Sequence, residues 1–150
     1  MLTSSLVGSS TFRLAPPVSS DRQWGQWLSD LHAITVDFDA VRPTINLLAP
    51  LVWADANGYR VVVPAGFVSD GASIPQFAWS IVGAPLGGRY VRASVVHDYD
   101  LFRHRHGLPG AERSSSTVHK RFYNGMRAAG TSYLQGNLFY RCVQLGSARW

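Results

Sequence analysis

The hydrophobic pattern of this chain changes character near the middle. Before residue 76, short apolar segments alternate with turn-forming residues, whereas from Arg89 onward the apolar residues recur at helical spacing. Short apolar segments bounded by Gly, Pro and Asn are typical of strands, and longer periodic segments are typical of helices. The sequence therefore predicts an α+β fold, in which a small antiparallel β-sheet is followed by a helical half.

A β-hairpin is predicted where two apolar segments flank a short turn. The segments are residues 45–53 and 59–63, and Asn57-Gly58 lies between them. Asn-Gly favours a tight turn because both residues adopt left-handed backbone conformations at low cost. Pro64 has no backbone N–H to donate, so the second strand is expected to end before it.

Weaker patterns predict the other elements of the first half. Two Trp and two Leu residues at helical spacing predict a short helix over residues 22–33, and apolar–polar alternation predicts a strand over residues 34–38. Residues 67–75 are predicted to form a loop. Residues 76–82 are predicted to form a short helix that ends at Gly83.

The second half is predicted to contain three helices, over residues 89–102, 115–129 and 132–145. Serines before the second helix supply an N-cap, and Gly130 supplies a C-cap. The first two helices are expected to form an antiparallel helical hairpin, and the third is an additional helix.

The length of 150 residues fits one domain with a buried core. Residues 1–21 are rich in Ser and Pro and are predicted to form an extended N-terminal arm, whereas residues 22–150 are predicted to form a single α+β domain. Cys142 is the sole cysteine, which excludes an intrachain disulfide framework and a Cys-based zinc site.

Membrane insertion and secretion are not predicted. No apolar run reaches the roughly 18 residues of a membrane span, and residues 1–7 are a poor secretory signal because they lack a basic region. We therefore expect a protein without a transmembrane segment that is kept soluble or packed into a particle.

Positive charge is concentrated in the last third of the chain. The formal net charge is +5, and residues 101–150 carry seven Arg and one Lys against Glu112 alone among acidic residues. Such a region can contact phosphates on nucleic acid or on lipid headgroups. A solvated helical surface rich in Arg gives the same composition, and the sequence leaves both interpretations open.

Two Asp and two His residues are the candidates for chemistry. His97 and Asp98 are adjacent on the first long helix and point about 100° apart, so both can face one site from different sides. An antiparallel hairpin brings His119, on the second helix, opposite His97. Asp70 precedes Gly71, whose missing side chain lets backbone carbonyls approach a cation.

These residues fit a metal site or a His-based hydrolase, but structural roles explain the same pattern. A buried His is commonly hydrogen bonded within the core, and an Asp before Gly commonly accepts backbone N–H bonds in a turn. A degenerate, once catalytic site is the third interpretation. The sequence alone leaves the three open.

Three segments carry a resemblance to a known family. They are residues 63–75 (VPAGFVSDGASIP), residues 96–99 (VHDY) and residues 122–130 (FYNGMRAAG). On these segments the chain resembles the domain of unknown function 1353 family, which is phage-encoded and common in tailed-phage and prophage gene clusters. The resemblance covers about half of the chain and implies a phage origin rather than a mechanism.

A second resemblance concerns the helix with His97-Asp98-Tyr99, which looks like the active-site helices of secreted phospholipases A2. That resemblance implies His97 as the general base, Asp98 as a calcium ligand and Asp70 as a loop ligand. It also implies an orienting role for His119, which stands where those enzymes carry an acidic residue.

Three departures from the phospholipase pattern stand out. A neutral imidazole cannot stabilise an imidazolium as a carboxylate does, the loop at 67–75 has one Gly, and the bracing disulfides are absent. The site is therefore expected to be inactive, or two His and two Asp bind a transition metal such as zinc instead of the calcium that the resemblance implies.

Two functions follow from these observations. The first is a structural or accessory component of a tailed-phage particle, in the tail, neck or capsid surface, that carries a degenerate hydrolase-like His/Asp site. Its partners would be other phage structural proteins and further copies of this chain. Its location would be the virion, assembled in the host bacterial cytoplasm. The alternative is a metal-dependent ester hydrolase, phospholipase A2-like, that acts during phage entry or lysis.

Overall fold

The computed structural model describes residues 10–15, 22–36, 44–70, 89–147 and 149–150. Antiparallel strands occupy its first half and three helices its second half, so the predicted α+β class is confirmed. The predicted short helix at 76–82 and most of the predicted loop at 67–75 lie outside the described residues.

The described strands are short, and a 3-10 helix interrupts them at Arg22–Trp24. The strands are β1 (Ser10–Leu14), β2 (Gln26–Trp27), β3 (Leu31–Val36), β4 (Thr44–Leu47), β5 (Leu51–Ala54), β6 (Arg60–Val63) and β7 (Val68–Ser69). The helices are α1 (Val91–Arg105), α2 (Ser115–Ala128) and α3 (Tyr133–Gly146). Within the described ranges, no helix is both long enough and apolar enough to cross a membrane.

The strands form two antiparallel sheets. One has the order β1-β3-β4-β7 and the other has the order β2-β5-β6. The β5–β6 pairing is the predicted hairpin, with Leu51 opposite Val63 and Ala54 opposite Arg60. Its turn follows the Asn-Gly prediction, because Gly58 has a φ of 86°.

The continuous apolar segment at 45–53 suggested one strand, but the structure divides it into two. Residues 44–47 pair in the first sheet as β4, and residues 51–54 pair in the second sheet as β5. Pro50 separates the two strands, and a proline cannot donate a ladder hydrogen bond.

The helix predicted at residues 22–33 is wrong. One 3-10 turn is followed by β2 and β3 instead, and β3 begins three residues before the predicted strand at 34–38. Gly25 has a φ of 84°, which a helix does not allow. The positions of the tryptophans are explained by aromatic packing rather than by a helix. The ring centroids of Trp27 and Trp53 lie 6.5 Å apart, and those of Trp24 and Tyr123 lie 5.7 Å apart in an edge-to-face contact.

The part of the predicted N-terminal arm that the structure describes is an extended strand. Residues 10–14 pair with β3 as β1, and the Arg92 guanidinium donates to the backbone carbonyls of Leu14 and Ala15. Whether residues 1–21 form an arm separate from the domain stays a prediction.

α1 and α2 form the predicted antiparallel helical hairpin. Contacts run in opposite directions along the two helices, from Ala93 near Gly125 to Asp100 at Arg121. Nine of the 15 residues of α1 are buried, because sheet strands cover one side and α2 covers another. α1 is therefore the central element of the core, and its polar residues need partners inside the protein.

Gly25 offers a test of this arrangement. A Cβ at this position would lie 2.3 Å from the Ala54 carbonyl oxygen and 2.8 Å from the Trp53 ring. We expect Gly25→Ala to lower the free energy of unfolding by at least about 3 kcal/mol, because the clash adds to left-handed strain.

The matched control is Gly58→Ala, which has the same positive φ but open space around the added Cβ. We expect it to cost only about 1 kcal/mol. Urea denaturation measures both variants, and equal losses would show that the close approach of β2 to β5 is wrong.

Candidate functional site

His97 and His119 meet between α1 and α2, as the hairpin prediction required. His97 Nε2 and His119 Nδ1 are 3.0 Å apart, and the two side chains are almost wholly buried. The ring centroids lie 5.2 Å apart, and the Phe122 ring packs on His97 at 5.3 Å. The pair is therefore a hydrogen bond that joins the two helices inside the core.

The two nitrogens of His119 have different surroundings. Its Nδ1 faces His97, whereas its Nε2 is buried and has no hydrogen-bond partner among the described residues. Burial, then the positive charges of His97 and Arg149, lower the pKa of His119 to about 4. The ring is therefore neutral at pH 7, and a single proton shared with His97 satisfies the contact.

Asp98 lies on the same helix but has a different partner. Its Oδ2 accepts a hydrogen bond from the Ser69 hydroxyl at 2.5 Å, which ties α1 to β7. Its Oδ1 is 4.0 Å from His97 Nδ1, beyond hydrogen-bond distance. Asp70 directly follows Ser69 and is exposed, because consecutive side chains of an extended segment point to opposite faces.

The structure thus brings His97 and His119 together and places Asp98 beside the pair. Within the described ranges, no three His, Cys, Asp or Glu side chains lie close enough to hold one metal ion. The roles predicted for His97 and His119 in catalysis, and for Asp70 and Asp98 in metal binding, stay predictions.

Sequence reasoning missed a second buried polar cluster. Asp100 is wholly buried and accepts from the guanidinium groups of Arg103 and Arg121. Arg121 also reaches Glu112 and lies 4.9 Å from the centre of the Tyr59 ring. Burial lowers the pKa of Arg121, but the neighbouring carboxylates outweigh it and raise the pKa above its ordinary value.

A signal for this cluster exists in the sequence. Asp100 follows His97 by three residues, so the two share one face of α1. Since His97 was expected to point inward, Asp100 had to point inward too and needed a cationic partner. Arg103 lies one helical turn further along that face.

A cleft opens beside His119, between the start of α2 and the second half of α3. It encloses about 410 Å³. Its lining comprises Ser115, Ser116 and His119 of α2, Arg141, Gln144 and Leu145 of α3, and Arg149 beyond α3. His119 therefore connects the buried pair with a surface that small molecules can reach.

The fold and the site define a small α+β domain with a buried histidine pair between two antiparallel helices. Residues 45–143 match the model of the family described as protein of unknown function DUF1353, and the chain belongs to this family. The family match includes strands β4 to β7, the histidine pair and both aspartates, and it confirms the family part of the expected resemblance.

Two curated relatives come from Sinorhizobium fredii. The uncharacterized protein y4jT is 38% identical over 109 residues, which cover 73% of this chain and 30% of that protein. The uncharacterized protein y4iH is 32% identical over 104 residues, which cover 69% of this chain and 41% of that protein. The chain thus spans less than half the length of either relative. No solved structure matches the chain significantly.

The low pKa of His119 predicts how stability depends on pH. The unfolded chain takes up a proton on this residue near pH 6.5, and the folded protein does so only near pH 4. Between these values the unfolded state binds more protons, so the free energy of unfolding falls as the pH falls.

From pH 7.5 to 4.5, we expect the wild type to lose roughly 2 to 3 kcal/mol more than His119→Gln loses. His106→Gln, which removes another histidine at an exposed position, serves as the control for the loss of one imidazole. Urea denaturation at both pH values measures the difference. Equal losses for the wild type and His119→Gln would mean that His119 titrates normally.

Proposed function

We propose that the protein is a structural or accessory component of a tailed-phage particle. The resemblance of residues 63–75, 96–99 and 122–130 to a phage-encoded family motivates the phage origin. Under this proposal the protein is assembled in the host cytoplasm and resides in the virion. Its partners are other particle proteins, and its His/Asp residues hold the fold together rather than catalyse a reaction.

The observation that carries the assembly role is a leucine stripe on the outer face of α3. Leu134, Leu138 and Leu145 lie within about 40° of each other around the helix axis, and Leu134 and Leu145 are each 79% exposed. The opposite face of α3 packs Phe139 and Val143 into the core. A stripe of this kind fits burial against a neighbouring protein in an assembly.

The His/Asp residues support the same proposal because their polar atoms already serve internal contacts. His97 and His119 bond each other, Asp98 bonds Ser69, and Asp100 bonds two arginines. These bonds join α1 to α2 and to β7. A structural protein gains a single well-defined arrangement from such a network.

The test is the protein content of purified particles. We expect mass spectrometry of density-gradient-purified virions to find this chain at a fixed copy number. Leu134→Asp combined with Leu145→Asp should abolish incorporation while leaving the soluble protein folded. Leu28→Asp, which also charges an exposed leucine but lies outside α3, serves as the control and should be incorporated normally.

Absence of the wild-type chain from particles, while it accumulates in the lysate, would overturn the proposal. Equal incorporation of the double variant would leave the particle role intact but exclude the α3 stripe as the contact.

One observation favours the alternative, a metal-dependent, phospholipase A2-like ester hydrolase. His119, whose buried Nε2 has no hydrogen-bond partner among the described residues, is one of the residues that line a cleft, and a cleft is a suitable place for a substrate. In that case Asp98→Asn would abolish calcium- or zinc-dependent cleavage of phospholipid and ester substrates by the purified protein. Absence of metal-dependent cleavage by the wild type would exclude the hydrolase, and the particle role would be the remaining proposal.

A further inference from the structure

The cleft beside His119 combines several groups that attract anions, and none of the described residues that line it is acidic. The N-terminal turn of α2 forms one wall. That turn contains no acidic residue, and Ser114, at the N-cap, makes no side-chain capping bond. The positive end of a 14-residue helix dipole therefore faces the cleft without an acidic side chain in its first turn, where the Ser115 hydroxyl contacts the backbone oxygen of Trp150.

His119 supplies an independent sign that a ligand belongs there. The residue is only 3% exposed, and its Nε2 lacks a hydrogen-bond partner among the described residues. Because Nδ1 is turned toward His97, Nε2 is the atom left for a group in the cleft. A buried polar atom without a partner costs free energy, and a bound acceptor removes that cost.

Two guanidinium groups complete the arrangement. Arg149 donates through Nε and Nη2 to the Gln144 carbonyl, at 3.2 and 2.9 Å, so its position is fixed while Nη1 remains for a ligand. Arg141 is exposed, and none of the described carboxylates forms an ion pair with it. Paired guanidinium groups near a helix N-terminus are well suited to bind a tetrahedral oxyanion.

We propose that this cleft binds the phosphate group of a small organic phosphate. The phosphate would lie at the start of α2 between Arg141 and Arg149, with His119 Nε2–H donating to one oxygen. A volume of about 410 Å³ exceeds that of a phosphate group and falls within the range of small-molecule sites. Leu145 provides an apolar wall for the organic part.

This inference goes beyond the particle role and does not depend on it. It also assigns a location, the cleft beside His119, to the expected contact between the basic last third of the chain and phosphates. Leu145 belongs to both the cleft and the α3 stripe, so the binding test uses the isolated protein, in which Leu145 is exposed. The proposal requires the tautomer in which His97 Nε2–H donates to His119 Nδ1, so that the single proton of neutral His119 lies on Nε2.

Isothermal titration calorimetry of the full chain, at low ionic strength and pH 7.5, tests the proposal. Inorganic phosphate and glucose 6-phosphate are the two probes. We expect the wild type to bind both, and the sugar phosphate more tightly. Arg141→Gln should weaken binding about tenfold, because one charge-assisted hydrogen bond is lost. Arg60→Gln removes the same charge from exposed β6 and should change affinity less than twofold.

A second readout follows His119 itself. In long-range ¹H–¹⁵N spectra, the Nε2 resonance of His119 should shift on addition of phosphate, whereas the resonances of His32 and His106 should not. This measurement needs no variant, so it stands even if a substitution disturbs folding.

Three results would overturn the proposal. The first is no saturable binding of either probe by the wild type. The second is an equal loss of affinity in Arg141→Gln and Arg60→Gln, which would indicate a diffuse basic surface. The third is a sugar phosphate that binds no more tightly than inorganic phosphate, which would assign the cleft to the free ion.

Discussion

The buried carboxylate of Asp100 constrains the rest of the structure, because other elements have to supply its partners. A wholly buried charge is tolerated only when ionic and hydrogen-bonding partners surround it, and here Arg103 and Arg121 supply them. Arg121 belongs to α2, so the pairing fixes how α2 lies against α1. Removal of either arginine would take the guanidinium donor from one Asp100 oxygen, and removal of both would leave the buried charge without these partners, which makes this contact more specific than apolar packing alone.

The same face of α1 carries His97, one turn before Asp100. His97 contacts His119 of α2. The α1–α2 interface therefore contains two polar contacts of different kinds, an ionic cluster and a hydrogen-bonded imidazole pair. The charges of the ionic cluster pair with each other, whereas the imidazole pair includes a buried nitrogen, His119 Nε2, without a partner among the described residues, on a residue that lines a cleft. This difference is why we assign the cluster to stability and the outer side of His119 to binding.

The sequence predicted the elements whose signals are local. Asn57-Gly58 determined the β5–β6 turn, and the glycines and serines around α2 and α3 placed the helix ends to within a residue or two. Residues 22–33 were misjudged because the tryptophans there pack on Trp53 and Tyr123, which are distant in the chain. Likewise, the facing histidines followed from helix geometry, but the partners Ser69 and Arg121 depend on tertiary contacts that spacing does not reveal.

The central claim is that His97 and His119 share one proton across the α1–α2 interface and leave His119 Nε2 directed to the cleft. The most direct measurement is a through-hydrogen-bond ¹⁵N–¹⁵N scalar coupling between His97 Nε2 and His119 Nδ1 in the labelled protein at pH 7. Our account predicts a resolved coupling, together with a His119 that stays neutral down to a pH of about 4. Absence of the coupling, with His119 titrating near the ordinary pKa of about 6.5, would contradict it.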